Sequence, residues 1–362
     1  MLTRRTFLTA TAAAAGISAL QPFSLSALSA AAPAATRRRP KNIGAFYFRA
    51  HLYTLVPRHV REDMEWLRDA GINTLVIGVQ EQDLASAREN IDRISAEAHR
   101  VGIKIWVIPS RWGNLIAGAG KVPCTFTGKN PDCWARRENG KPIMGGFGPY
   151  ASIHHPYTFD RYTKMLRRVL DQWPVEGIIW DEPKAYNILD YSPAAKTAFG
   201  GTIPKDVRPH RQAFAKFFAR LNAVIKKHSP GCYMSMFTYA TLKQEEIEDL
   251  ADQSDLNAFG CDGRPWALAD KGADDSDRNA PAKKCLVDNS ARFIETARRH
   301  GRDTFALIEN HAMPATSNPI MDRRLPEVLA QDWDNLFCYY YPRSCDDPDA
   351  SMAIIKKHIS KL

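Results

Sequence analysis

The sequence predicts a single (β/α)8 barrel with long loops after its third, fourth and sixth strands. Eight short apolar runs alternate with segments of helical period, the pattern of parallel strands joined by crossover helices. The runs are nearly continuous rather than alternating with polar residues, as expected where both faces of a strand are covered. The first run leads into Phe48-Arg49-Ala50-His51-Leu52, which has none of the glycines that an open doubly wound sheet uses at this turn to hold phosphate.

Strand one is Ile43 to Phe48, and a helix near 58–70 sets Val60, Met64, Trp66 and Leu67 at near-helical spacing before Gly71 ends it. Strand two is Asn73 to Val79, and its helix, 85–101, stops at Gly102. Strand three, Ile103 to Ile108, opens a long excursion to about Thr158 that is rich in Gly, Pro, Asn and aromatics. Excursions of that length in a compact domain usually have a function. A helix over 159–172 precedes strand four, Val175 to Trp180, and an irregular stretch then leads to the amphipathic helix 210–227. Strand five is Cys232 to Phe237, with a helix at 243–252. Strand six is Asp255 to Phe259, separated by a long loop from the helix 286–300. Strand seven, Thr304 to Ile308, and strand eight, Leu336 to Tyr340, are followed by helices at 321–331 and 349–360. The pattern as a whole is that of a TIM barrel over 42–362.

The first 36 residues read as a separate unit. Thr3-Arg4-Arg5-Thr6-Phe7-Leu8 precedes a weakly apolar run ending in small residues, which predicts a twin-arginine signal peptide over 1–36 and a basic leader over 37–41. Gly16, Gln21 and Pro22 punctuate that run and argue against a membrane anchor. The expectation is passage through the twin-arginine translocase to a periplasmic or secreted location, with no membrane association after cleavage. The segment contains two arginines and no acid, so seven of the nine net positive charges lie beyond it. Three of those are Arg37, Arg38 and Arg39, and no basic stripe suited to a nucleic-acid backbone remains. Among the seven cysteines no C-x-x-C occurs, and Cys124–Cys133 and Cys261–Cys285 suggest themselves as bridges across loops.

Barrels of this kind carry their sites at the C-terminal ends of the strands. Asp181 and Glu182 follow strand four, and Glu309, Asn310 and His311 follow strand seven. Glu is a poor helix N-cap, and each of these two follows its strand with no turn signal between, so Glu182 and Glu309 should point into the mouth. Two carboxylates facing across a concave site suit cleavage of a glycosidic bond, with one proton donor and one nucleophile or base. Trp112, Trp134, Trp180, Tyr239, Trp266, Tyr340 and Tyr341 offer flat faces for sugar rings, although core packing is the plainer reading for Trp180. Arg49, His51, Arg111, Asp262, Arg264, Asn310 and His311 complete the predicted binding ring, and inward-pointing arginines would suit an anionic sugar such as a uronic acid. The H-x-H and H-E-x-x-H metal signatures and the G-x-S-x-G elbow are absent from the sequence, so the reading requires no metal or other cofactor.

Asp181-Glu182-Pro183 and Glu309 resemble the clan of retaining glycoside hydrolases whose acid/base follows strand four and whose nucleophile follows strand seven. The resemblance implies that Glu182 is the acid/base, that Glu309 is the nucleophile and that the partner is a carbohydrate. The clan has Asn where this chain has Asp181, which accepts hydrogen bonds but donates only when protonated. Asp181-Glu182 also looks like the Asp-Glu pair of N-acetylhexosaminidases, in which the substrate's own acetamido group attacks. A carbohydrate-binding barrel without catalysis is the third reading.

Overall fold

The computed structural model describes residues 38–273 and 285–362. The signal and Arg37, the first residue of the basic leader, lie outside them. All described residues belong to one compact unit, Arg38–Leu362. None of its helices is long and apolar enough to cross a membrane.

Eight parallel strands close into a barrel in sequence order: β1 (Asn42–Phe46), β2 (Thr74–Val79), β3 (Lys104–Pro109), β4 (Gly177–Asp181), β5 (Tyr233–Tyr239), β6 (Ala258–Gly263), β7 (Asp303–Ile308) and β8 (Asn335–Tyr339). The β1–β8 seam closes in register, with Asn42 opposite Asn335 and Phe46 opposite Tyr339. Around the sheet stand α1 (Pro57–Asp69), α2 (Arg88–Arg100), α3 (Pro156–Gln172), α4 (Arg208–His228), α5 (Gln244–Ala251), α6 (Leu286–Arg299), α7 (Asn318–Leu329) and α8 (Pro348–Ile359). In α1 the residues Val60, Met64 and Leu67 are buried, the stripe expected of a helix lying on a sheet. Gly71 and Gly102 end α1 and α2 at φ of 84° and 79°, a conformation that L side chains rarely adopt.

Aromatic side chains fill the barrel interior. Phe237 stacks on Phe305 at 5.2 Å and Phe305 on Phe337 at 4.9 Å, with Phe46 near 6 Å from both Phe237 and Phe337. Below them Trp106 stacks on Tyr233 at 5.0 Å, and Gly177 leaves the room, since a Cβ there would stand 2.6 Å from the Trp106 ring. The floor is polar: Asn42 Nδ2 donates to Asn335 Oδ1 at 2.7 Å, and Tyr233 Oη to Asp303 at 2.6 Å. The packed aromatic layers leave the upper strand ends as the place where side chains meet solvent.

Two details differ from the sequence reading. Strand six extends to Gly263, so Cys261 and Asp262 belong to the sheet rather than to a loop. Pairing along its length with β5 and β7 overrides the poor strand propensity of Gly260, Asp262 and Gly263. Neither expected disulfide forms; every cysteine among the described residues is a thiol. Cys124 instead donates to Glu81 at 3.2 Å and accepts from Gly113 N, while Cys133 faces His155 Nδ1 at 3.3 Å. These contacts tie down the excursion after β3, which folds into a short helix (Thr125–Lys129) and a hairpin at 144–149.

Candidate active site

Strand alternation sets the site. Trp180 faces outward, where its ring lies 4.9 Å from Phe218 and its Nε1 donates to Asn222 at 2.8 Å. Its neighbour Asp181 therefore faces inward, 3% exposed. Glu182 follows at φ 37°, a left-handed conformation uncommon outside glycine and associated with functional positions. Its backbone is held there by N–H donation to Phe237 O at 3.1 Å. One carboxylate oxygen from each of Glu182, Asp262 and Glu309 lies within 4.8 Å of the others. Asp262 and Glu309 are 1% and 2% exposed. The cluster joins the ends of β4, β6 and β7.

Three groups surround the cluster. Tyr339 of β8 is half-buried, and its hydroxyl is held well above the usual phenol range by desolvation and then by the charges of Asp181, Glu309, Glu182 and Asp262. Lys184 Nζ lies 2.8 Å from Glu182 Oε2 and also donates to Tyr239 Oη. His311 sets its ring edge against Tyr339, 5.0 Å between centroids. Three oxygens so close could also ligate a hard cation, although Lys184 already supplies positive charge at one edge.

Other predicted binding residues support the frame instead. Arg264 is buried and donates through Nη1 to the carbonyls of Glu309, at 2.9 Å, and of His311. Trp266 packs 5.7 Å beneath that guanidinium and is itself buried. Asn310 clasps the Tyr339 backbone, donating to its carbonyl at 3.0 Å and accepting from its N–H at 2.9 Å. Trp112 lies in the core, bonded to Val79 O at 3.0 Å and packed on Tyr162. Tyr340 turns its hydroxyl to Asp63 at 2.6 Å and packs against Tyr47 and Trp66. For Arg264, Asn310, Trp112 and Tyr340 a buried polar atom needed a partner, and backbone or a neighbouring acid supplied it.

The loop carrying Glu182 and Lys184 is pinned from α4. His210 Nε2 lies 3.2 Å from Ala185 O, and its Nδ1 lies 3.5 Å from Nε2 of His154 in the excursion after β3. Burial, and then the neighbouring His154, push the His210 imidazole down to about 4. His154 is lowered as well, by burial. With both rings held neutral, His210 donates from Nε2 to Ala185 O and accepts at Nδ1 from His154 Nε2.

Beside the carboxylates lies a cavity of about 330 Å³ whose walls include Arg49, His51, Arg111, His311, Tyr339 and Arg343. Tyr339 and His311 form the partition, so the acids stand next to this cavity rather than in it. Arg111, at φ 61°, also borders a smaller cavity of about 60 Å³ that Lys184 lines. Of the predicted residues, Glu182, Glu309, Asp181, Asp262, Tyr239 and His311 thus come together, and Arg49, His51 and Arg111 lie across the partition. Lys184 and His210 are the additions that the sequence reading missed. Lys184 had a visible signal, a cation two residues after Glu182, whereas His210 stood at the start of an amphipathic helix with no such signal.

The fold and site together define a (β/α)8 barrel with an acidic cluster at its C-terminal mouth. No protein-family model matches the chain, and no curated protein matches it by sequence. Solved structures do match in fold. The β-galactosidase of the psychrophilic Marinomonas ef1 superposes with a TM-score of 0.58 at 14% identity, over 88% of this chain and 58% of its own. The catalytic domain of β-amylase from Paenibacillus polymyxa gives 0.58 at 11% identity, over 90% of this chain and 99% of that one. The α-L-fucosidase isoenzyme 2 of Paenibacillus thiaminolyticus gives 0.57 at 13% identity, over 90% and 49%. The chain thus spans a little over half of the β-galactosidase and about half of the fucosidase, but nearly all of the amylase domain.

Proposed function

We propose that the chain is an exported glycosidase that cleaves O-glycosidic bonds of a poly- or oligosaccharide by a two-carboxylate, retaining mechanism. The observation that carries the proposal is the meeting of Glu182, Asp262 and Glu309 within 4.8 Å at the ends of β4, β6 and β7. Retaining enzymes hold their carboxyl pair about 5–5.5 Å apart, and inverting enzymes leave roughly 6.5–9.5 Å for a water. The spacing here supports the former. The similar structures are named for acting on glycosides, which agrees with the reading.

In this mechanism Glu309 attacks the anomeric carbon while Glu182 gives its proton to the departing oxygen. Water, deprotonated by Glu182, then releases the sugar from Glu309. The Lys184–Glu182 ion pair favours a second assignment of roles. An adjacent ammonium stabilises the charged carboxylate, which suits a nucleophile or base, and the deeply buried Asp262 then donates the proton.

Kinetics of Glu182→Ala, Asp262→Ala and Glu309→Ala on aryl glycosides separate these assignments. The proton donor's variant keeps activity on good leaving groups and responds to azide, while the nucleophile's variant loses several orders of magnitude on every substrate. Near wild-type hydrolysis by Glu309→Ala would remove the first assignment. A loss in Asp181→Asn confined to N-acetylated substrates would favour substrate assistance, and binding without turnover on every glycan would favour a non-catalytic module. Export rests on Arg4 and Arg5: replacing both by Lys should leave full-length precursor in the cytoplasm, and normal export of that variant would refute the route.

A further inference from the structure

We infer that the 330 Å³ cavity beside the carboxylates is a subsite for an anionic sugar substituent, a carboxylate or a sulfate ester, so that the substrate is an acidic glycan. The inference rests on the glycosidase reading for the word glycan and on the cavity itself for the charge. Arg49, Arg111, Lys121 and Arg343 line it together with His51 and His311, and among the described residues its lining includes no aspartate or glutamate. Its volume suits one or two sugar units.

Arg49 and Arg111 are poorly compensated among the described residues. Arg49 has Asp63 at 4.0 Å, but that carboxylate already accepts the hydroxyls of Tyr47 at 2.7 Å and Tyr340 at 2.6 Å. Arg111 donates to the carbonyls of Gly118 and Gly120 at 3.2 and 3.1 Å, and its guanidinium lies 4.7 Å over the Phe147 ring. Those neutral partners fix its position, and no carboxylate pairs with it among the described residues. Arg343 is exposed at the rim. His51 Nδ1 is buried and has no hydrogen-bond partner among the described residues.

Charge is also segregated across Tyr339. Four acids lie on one side and the basic cavity on the other. An acidic sugar entering the cluster would be repelled, whereas the same sugar seated in the cavity is held while its neighbour reaches the acids. Guanidinium pairs with planar carboxylate or with sulfate oxygens through short charge-assisted bonds.

Titration calorimetry tests this with the full chain carrying Glu309→Ala, to prevent turnover. The probes are an oligouronate, its methyl ester, a sulfated oligosaccharide and its desulfated form. At low salt the charged member of one pair should bind at least about tenfold tighter than its neutral match, and the gap should shrink at high salt. Which pair shows the gap identifies carboxylate or sulfate. Adding Arg49→Gln or Arg343→Gln should narrow it by about tenfold each, the scale of one charge-assisted bond. Arg343 is exposed, so its variant keeps the test valid if Arg49→Gln fails to fold. Equal binding of charged and neutral forms, or a gap untouched by both substitutions, overturns the subsite. Charge-selective binding with no hydrolysis of any probe by the wild type would instead overturn the glycosidase reading and leave the subsite standing.

Discussion

Acid should loosen the mouth through His210. Its ring is buried between His154, Asp190 and the Ala185 carbonyl, and it is held neutral down to about pH 4, whereas in the unfolded chain it titrates near 6.5. Above 6.5 both states carry a neutral ring and the group has no effect. Between 6.5 and 4 the unfolded state binds the proton more readily, so stability falls as pH falls and the loss is complete below about 4. One pH unit of difference corresponds to about 1.4 kcal/mol, which makes the full loss about 3 kcal/mol for the coupled pair. Asp190, which pulls the other way, already accepts from Arg136 N and Ser192 N and so offers a new cation little relief. The check is urea unfolding of the wild type and His210→Gln at several pH values from 4 to 7. Gln keeps a donor toward Ala185 and does not titrate. The wild type should lose about 3 kcal/mol more than the variant across that range, and parallel stability curves would refute the reasoning. Because the Ala185 carbonyl belongs to the loop carrying Glu182, activity of the wild type should fall over the same range before global unfolding.

Three other outcomes follow from the site. Lys184→Met removes the ammonium 2.8 Å from Glu182, so the limb of the kcat/KM profile that Glu182 governs should move to higher pH, the alkaline limb where Glu182 is the proton donor and the acidic limb where it is the nucleophile, and a profile with neither limb moved would separate Lys184 from the chemistry. Arg264→Met leaves the carbonyls of Glu309 and His311 without their buried donor, with an expected cost of about 2–4 kcal/mol by denaturant unfolding and a lower kcat in the folded fraction. Gly260→Ala would drive a Cβ into the Phe305 carbonyl on the adjacent strand, so soluble yield or melting temperature should drop by the equivalent of about 3 kcal/mol or more, and a wild-type melt would contradict the β6–β7 register.

The barrel was legible in the sequence because hydrophobic runs and helical periods are local, and every expected strand and barrel helix appears within a few residues of its place. Glu182, Glu309 and Asp181 were legible for a related reason: a polar residue directly after an apolar run has few places to go in a closed barrel. Asp262 was read as a loop residue with a binding role, and only pairing with β5 and β7, which is long-range, places it in the strand beside the other acids. The predicted binding residues that lie in the frame share one property. Trp112, Arg264 and Asn310 satisfy main-chain groups, and a carbonyl offers no side-chain signal by which a sequence can announce it. Arginine shows both sides of this. Arg264 and Arg111 each follow a strand and each bond to carbonyls, yet Arg264 is buried against Trp266 while Arg111 keeps a face on the cavity. The difference arises in backbone geometry. Arg264 follows directly from the end of β6 and bridges to Cys285, whereas Arg111 turns through a left-handed φ after β3. Other left-handed non-glycine residues sit at the same level, Glu182 after β4, Ala312 after β7 and Tyr341 after β8. Such conformations cost about 1–3 kcal/mol each and persist only where their surroundings enforce them. Their gathering at the C-terminal rim indicates that the packed barrel below supplies the stability against which the mouth is bent into shape.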